Sequence, residues 1–585
     1  MLPPEERSVL TDTVHPPPGC VLDRAVALTY SLNLESALVV PLAFAGQVVR
    51  ESQDPVAVME AVRNCADRVD VFCQAGQVTV PQRGTDLLAF LEPVVHLVRR
   101  PRPGRLFHPK LWALRFRDAS SDAVHTRLVV LSRNLTADRT SWDVCLRLDG
   151  AVGTRTVAAN RPLVGLLRRT IDLCVMVLDD DRRSAVTTLA DDLLHTSWDL
   201  PEGVRGLSFF TLGVPGQTRP DFVGTRHLVV SPFVNEKGLA FTKPAGGGTV
   251  IGTQEELDRL PESALDGCDV YVINALADIT AGDDADRSIL TGLHAKLYVV
   301  EKGQTARVLV GSANATDAAF GGNVEILAEL TGGRRALGID AMVGADAGFR
   351  RVLEPYQRGA AITEDADDRA LADLIRDLAA VPLTATVEPT GDSFAIRLSS
   401  DDILPAAPES ARITAELVTR RGDAATLEPQ SRVDARFPGL AVVDVTPFVV
   451  VTAQDHRGVS QHTVVHAQLI GDPAGRFDEV IARQVDTPEK FLRFLALLLG
   501  LFGETSLLPG AGDGSGSWAV SPGSGVLEML LRGLVDRRTQ LDDLARLVTR
   551  LESTEQGRKV LPHGFAELWQ VVDAVRRDLA AEEVP

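Results

Sequence analysis

Two stretches of this 585-residue chain carry the same polar residues in the same order. The first runs LFHPKLWALRF, TRLVVLSRNLT and SWDVCLRL, and the second runs GLHAKLYVV, ARVLVGSANAT and GGNVEILAEL. Each has His-x-Lys at the head of an alternating apolar run, Ser-x-Asn at the end of a second, and a carboxylate leading a third. The sets are His108, Lys110, Ser132, Asn134 and Asp143, then His294, Lys296, Ser312, Asn314 and Glu325. With only seven lysines and eight asparagines in the chain, coincidence accounts poorly for the match. It reads as an internal duplication.

These residue types suit phosphoryl transfer. Residues i and i+2 of a strand face one side, so each imidazole projects beside a lysine and each serine beside an asparagine. If the runs pair, all four side-chain types converge at one sheet edge. Lysine and asparagine would stabilise charge developing on phosphate oxygens. A carboxylate beside each imidazole would fix its tautomer and raise its basicity. Two histidines can then divide the labour, one as nucleophile at phosphorus and one as acid toward the leaving oxygen. The scheme calls for no metal and no cofactor.

Net charge is −19, a field that repels polyanions on average. A nucleic-acid partner must therefore be drawn by a local basic patch. Arg99, Arg100, Arg102 and Arg105, just ahead of His108, form one and are the candidate substrate-binding residues.

The duplicated motifs resemble those of the phospholipase D superfamily, which includes metal-independent nucleases, tyrosyl-DNA phosphodiesterases and phospholipid phosphodiesterases. The resemblance spans roughly residues 20 to 360. It implies a pseudo-twofold pair of α/β lobes sharing one active site, and a covalent phosphohistidine. By the same resemblance His108 is the nucleophile, His294 the general acid, and Glu325 a support for a histidine. The family's aspartate after His-x-Lys is replaced here by Arg115 and Glu301, as it is missing from the tyrosyl-DNA phosphodiesterase branch. Asp143 lies nine residues past Asn134, whereas Glu325 lies eleven past Asn314.

The elements that must position these residues follow from periodicity. AVALTYS, RVDVFCQAG and PVVHLVRR read as strands, with helices over 35–46 and 54–66. GLSFFTLGV, HLVVSPFV and CDVYVINALA echo them, with a helix near 253–260. Helical patterns at 161–196 and 336–357 close the two halves. Alternation of this kind predicts mostly parallel sheets with covered faces. Beyond about residue 361 short alternating runs predict an antiparallel sandwich over 380–472 without helices, and from Phe477 the pattern turns helical. LPGAGDGSGSWAVSPGSG reads as a flexible loop, without the GK[ST] ending of a nucleotide-binding loop. The expected organisation is an α/β chain with lobes at 1–200 and 201–360, a β domain at 361–474 and a helical domain at 475–585.

Six scattered cysteines without a CxxC pair argue for a reduced, cytoplasmic chain with no structural zinc. The N-terminus lacks a signal-peptide pattern, and no apolar run reaches membrane-spanning length. His456, His462 and His466 are expected to face solvent, Trp112 and Trp142 to pack in the core, and Ser231-Pro232-Phe233 to form a turn. The combined expectation is an endonuclease-like phosphodiesterase acting on DNA rather than RNA. Its C-terminal domains would recruit a protein partner, as suits a prokaryotic defence or DNA-processing system, and one chain can supply both half-sites. The competing classes are a phospholipid phosphodiesterase or transferase and a non-catalytic nucleic-acid scaffold.

Overall fold

The computed structural model describes residues 13–44, 55–82, 85–118, 120–121, 123–136, 141–244, 247–274, 292–360, 366–408, 411–498, 530–531, 534 and 538–582. It is a mixed α/β chain. A seven-stranded sheet is built from β1 (Cys20–Thr29), β2 (Val69–Gln74), β3 (Val95–Val98), β4 (Leu111–Asp118), β5 (Val124–Leu131), β6 (Cys145–Val152) and β7 (Thr196–Trp198). Its order is β7-β6-β5-β4-β1-β2-β3. An eight-stranded sheet follows, from β8 (Val204–Leu212), β9 (Arg226–Val230), β10 (Gly248–Gly252), β11 (Cys268–Ile273), β12 (Leu297–Lys302), β13 (Thr305–Gly311), β14 (Glu325–Gly333) and β15 (Leu353–Pro355). Its order, β8-β14-β13-β12-β9-β10-β11-β15, repeats the first with one edge strand added.

Neither sheet is mostly parallel, which corrects the expectation from strand–helix alternation. Only β1/β2, β2/β3, β9/β10 and β10/β11 pair in parallel. The motif strands are joined by hairpins, and a parallel pairing needs a crossover of about a dozen residues or more. Between β12 and β13 the turn is Gly303-Gln304, with Gly303 at φ 60°, a left-handed conformation that glycine adopts at no steric cost. β10 (GTVIG) is too short and glycine-flanked to stand out by periodicity.

Apolar burial ties these sheets together. Val26, Leu28, Leu111 and Val130 of the first sheet share one core with Val230, Leu297, Val310 and Ile326 of the second, closed by helices Arg161–Asp172 and Asp180–His195. The opposite face of the first sheet joins a second core that runs on into the C-terminal half of the chain.

That half holds two four-stranded sheets. β16 (Thr384–Thr390), β17 (Ser393–Ile403), β20 (Arg432–Leu440) and β23 (Gln468–Ile470) form one, and β18 (Arg412–Leu417), β19 (Arg420–Leu427), β21 (Phe448–Gln454) and β22 (Ser460–His466) the other. All pairings are antiparallel except β16/β23. An unforeseen helix, Ala366–Ala379, packs on β21 and β22. Helices Arg476–Gln484, Pro488–Leu498, Arg538–Glu552, Glu555–Val560 and Phe565–Glu582 complete the chain. The Gly/Ser-rich stretch 508–525 lies outside the described residues. His466 does not face solvent: its Nδ1 lies 3.0 Å from the Val95 carbonyl, and burial holds its pKa down at about 4. No helix among the described residues is long and apolar enough to cross a membrane.

Candidate active site

Both His-x-Lys pairs sit immediately before a central strand, β4 or β12, and both Ser-x-Asn pairs immediately after its hairpin partner, β5 or β13. The antiparallel registers Leu111↔Val130 and Leu297↔Val310 bring each His-x-Lys beside its own Ser-x-Asn. The two halves are then joined by backbone pairing. Phe107 bridges Val324, and the His108 amide donates to the Val324 carbonyl at 2.9 Å. Reciprocally, Gly292 and Leu293 pair with Ser141 and Trp142, and the His294 amide donates to the Trp142 carbonyl at 2.8 Å.

This pairing crosses the carboxylates over. His108 Nδ1 lies 2.9 Å from Glu325 Oε2, and His294 Nδ1 lies 3.2 Å from Asp143 Oδ1. Each imidazole thus meets the carboxylate of the other half, and Asp143 has a defined partner despite its shorter spacing. The serines hold the carboxylates in place. Ser312 Oγ donates to Glu325 Oε2 at 2.6 Å and accepts from the Ile326 amide at 3.0 Å. Ser132 Oγ donates to Asp143 Oδ1 at 3.2 Å and accepts from the Val144 amide at 2.9 Å. The two copies differ just before these serines, Leu131 against Gly311. A Cβ at Gly311 would stand 2.1 Å from the Ile326 carbonyl oxygen, so only glycine fits there.

The lysines lie on the floor, each 1% exposed. Lys110 Nζ donates to the His108 carbonyl at 3.0 Å. Lys296 Nζ donates to the His294 carbonyl at 2.7 Å and to the Ser132 carbonyl at 3.2 Å, a contact between halves. Burial depresses both ammonium groups. Lys110 falls well below its usual range, pushed further by Lys296, and Lys296 falls to about 7 against the pull of Asp143 and Glu325. Burial lifts Glu325 to about 8, opposed chiefly by Lys110 and Ser312. Burial and the neighbouring cations hold the His108 ring neutral, and burial lowers His294 as well. Among the described residues, the Oδ1 atoms of Asn134 and Asn314 are buried without a hydrogen-bond partner. An anion placed between the halves would be met by two lysines and two imidazoles.

Four further residues support the site. The Tyr30 ring lies 5.0 Å from the His108 ring and 5.6 Å from Lys110 Nζ. Asn323 donates to Glu325 Oε1 at 3.2 Å and accepts from the Leu106 amide at 2.9 Å. Thr29 and Ser231 form a further matched pair. Thr29 Oγ1 donates to the Ser31 carbonyl and accepts from the Leu135 amide, while Ser231 Oγ donates to the Phe233 carbonyl and accepts from the Ala315 amide. Each hydroxyl thus grips the residue following a motif asparagine. The alignment of TYSLN with SPFVN, both ending in the Asn that caps the next helix (Asn33 or Asn235), is the signal that would have found them. Ser231→Ala strands the buried Ala315 amide. We expect it to cost about 1–3 kcal/mol in thermal or denaturant unfolding and to lower kcat about tenfold as Asn314 loosens, with the KM nearly unchanged.

The arginine cluster divides. Arg99 donates to the carbonyls of Cys174, Val175 and Ala380, each at 3.2 Å, and Arg100 pairs with Asp373 at 2.7 Å and Asp377 at 2.5 Å. These two fasten helix Ala366–Ala379 rather than a substrate, which corrects their expected role. Arg102 and Arg105 lie over the turn at Gly321 and Gly322, with Arg102 donating to the Gly321 carbonyl at 3.0 Å. Arg115 and Glu301, in place of the family's aspartates, are engaged by Asp23 and Asp192 and by Arg226 respectively. Trp112 packs edge-on to Phe44 and Trp142 edge-on to Phe349, and Ser231–Phe233 is a turn.

No family model matches the chain, and no curated protein matches it. Among solved structures it is similar to a polyphosphate kinase from Porphyromonas gingivalis, at 10% identity and a TM-score of 0.27. The alignment covers 55% of this chain and 44% of that one, so the chain spans less than half of that protein. At this TM-score the likeness carries no argument about fold or activity.

Proposed function

We propose that the chain is a metal-independent phosphodiesterase of the phospholipase D type, two pseudo-twofold lobes around one site, cleaving nucleic acid by way of a phosphohistidine. The observation that carries this reading is the crossed pair of histidine–carboxylate contacts above two buried lysines. With Nδ1 donating to Glu325, His108 presents Nε2 to phosphorus. Its lone pair forms the P–N bond as the P–O bond to the leaving group breaks, and the departing oxygen takes a proton from His294. His294 then removes a proton from water, which attacks phosphorus and returns His108 with its electron pair. Lys110, Lys296 and the two asparagines hold the phosphoryl oxygens as charge builds on them. Binding of the anionic substrate draws protons onto the buried lysines, which then supply the positive charge that this step needs.

Nucleic acid as substrate, with DNA favoured, rests on Arg102 and Arg105 near the site. The sandwich and the C-terminal helices suit a protein partner, as in a defence or DNA-processing system. Plasmid DNA, single-stranded DNA, RNA and phosphatidyl substrates assayed side by side in excess EDTA test the reading. We expect cleavage of DNA that persists in EDTA and vanishes in His108→Ala and His294→Ala. Turnover of phosphatidyl substrates alone would transfer the chain to the lipid enzymes, and binding without turnover would make it a scaffold.

A further inference from the structure

At the end of the first sheet remote from the histidines, strand register gathers a second set of reactive side chains. Cys20 on β1 stands directly opposite Asp118 on β4, and His125 on β5 stands opposite Phe116, diagonal to Asp118. Directly opposed residues point the same way, and so do alternate residues of one strand. All three side chains therefore leave one face of the sheet. Their ligand atoms lie within 4.8 Å of one another, and each residue is half-buried, within reach of solvent.

Asp118 is held ready. Its Oδ1 accepts from the Ser120 amide at 2.8 Å, the Ser120 hydroxyl at 2.6 Å and the Ser121 amide at 2.9 Å. Those bonds fix the carboxylate in place. Among the described residues, no hydrogen bond or ring contact engages the Cys20 thiol or the His125 imidazole. The neighbouring cations are directed elsewhere. Arg127, on the same face, turns to Asp149 and the carbonyls of Thr13 and His15, and Arg117, on the other face, pairs with Asp23.

We propose that Cys20, Asp118 and His125 form a three-ligand site for a thiophilic dication of the zinc class, its fourth position open to water. A thiolate, a carboxylate and a neutral imidazole balance a dication, and the sulfur selects against magnesium and calcium. Zinc–ligand bonds of about 2.0–2.3 Å would draw the three groups closer together than they stand. The site departs from the expectation that the six cysteines hold no structural metal. Along an eight-residue strand rising about 3.3 Å per residue it lies roughly 25 Å from His108, so it is separate from the phosphoryl-transfer centre. Its effect is to tie the first strand of the sheet to the β4–β5 hairpin.

The full-length protein, stripped with EDTA and dialysed, is titrated with zinc by calorimetry and with cobalt by absorbance. We expect one metal per chain, a thiolate-to-cobalt charge-transfer band, and a zinc-dependent rise in the unfolding midpoint. Cys20→Ser should abolish the band, and Cys20→Ser and His125→Ala should each weaken binding by about tenfold or more. Circular dichroism of the metal-free variants checks that they fold, and Asp118→Asn replaces any that does not. A wild-type cobalt complex without a thiolate band overturns the proposal. So does metal uptake that the Cys20→Ser/His125→Ala double variant retains in full.

Discussion

Replacing His108 with alanine is expected to lower phosphodiester turnover by about 10⁴-fold or more, with the unfolding midpoint moving by only a few degrees. The ring, 12% exposed, lines the site rather than filling a core, and the neighbouring backbone bonds to Val324 do not involve the side chain. His294→Ala is expected to be as damaging overall but to fail differently. With a substrate carrying a good leaving group, which departs without a proton, the first step survives and the covalent adduct on His108 accumulates. Mass spectrometry after an alkaline denaturing quench, which spares the acid-labile P–N bond, then reads the substrate-derived phosphoryl ester on the peptide containing His108 in His294→Ala and none in His108→Ala. Label on any other residue, or no label on the His108 peptide in His294→Ala, contradicts the assignment of roles.

The second large effect concerns Lys296. Its ammonium is fully buried and its pKa is held at about 7 by burial, so the folded state prefers the neutral form while the unfolded chain stays protonated up to about 10.4. Between those values the unfolded state binds more protons, and stability rises with pH. Below about pH 7 the whole penalty is present. Lys296→Met removes it, so the stability of the variant relative to wild type should grow as pH falls from 10 to 6, by on the order of 4 kcal/mol. Activity should drop about 10³-fold, because a developing phosphoryl charge loses its buried counterion. An anion in the pocket does the opposite: inorganic vanadate should raise the wild-type midpoint, take up a proton on binding near pH 8, and do neither in the variant. Chemical denaturation across pH, with calorimetry in two buffers of different ionisation enthalpy, reads both halves. A relative stability independent of pH contradicts the reading.

Much of the site was legible because histidine, lysine and asparagine are scarce here, and because their spacing repeats against alternating apolar runs. The convergence of each His-x-Lys on its Ser-x-Asn follows from period-two alternation once the two runs pair. The crossing of Glu325 to His108 and Asp143 to His294 does not, since it arises from pairing between halves about 180 residues apart, which no local pattern encodes. Strand–helix alternation misled on sheet direction for the same reason: β4, β5 and β6 pair antiparallel, and the helices that suggested crossovers lie elsewhere. Arg99 and Arg100 looked like a substrate patch because sequence shows charge and not the helix, Ala366–Ala379, that neutralises it. His466 was misplaced because its carbonyl partner, Val95, is 371 positions away.

The exchange of acids between the two halves makes each of them chemically mute by itself. A severed or half-made chain would hold an imidazole with nothing to steady it and a carboxylate with nothing to steady. On the proposed function, catalysis would begin only once both portions have been made and have met.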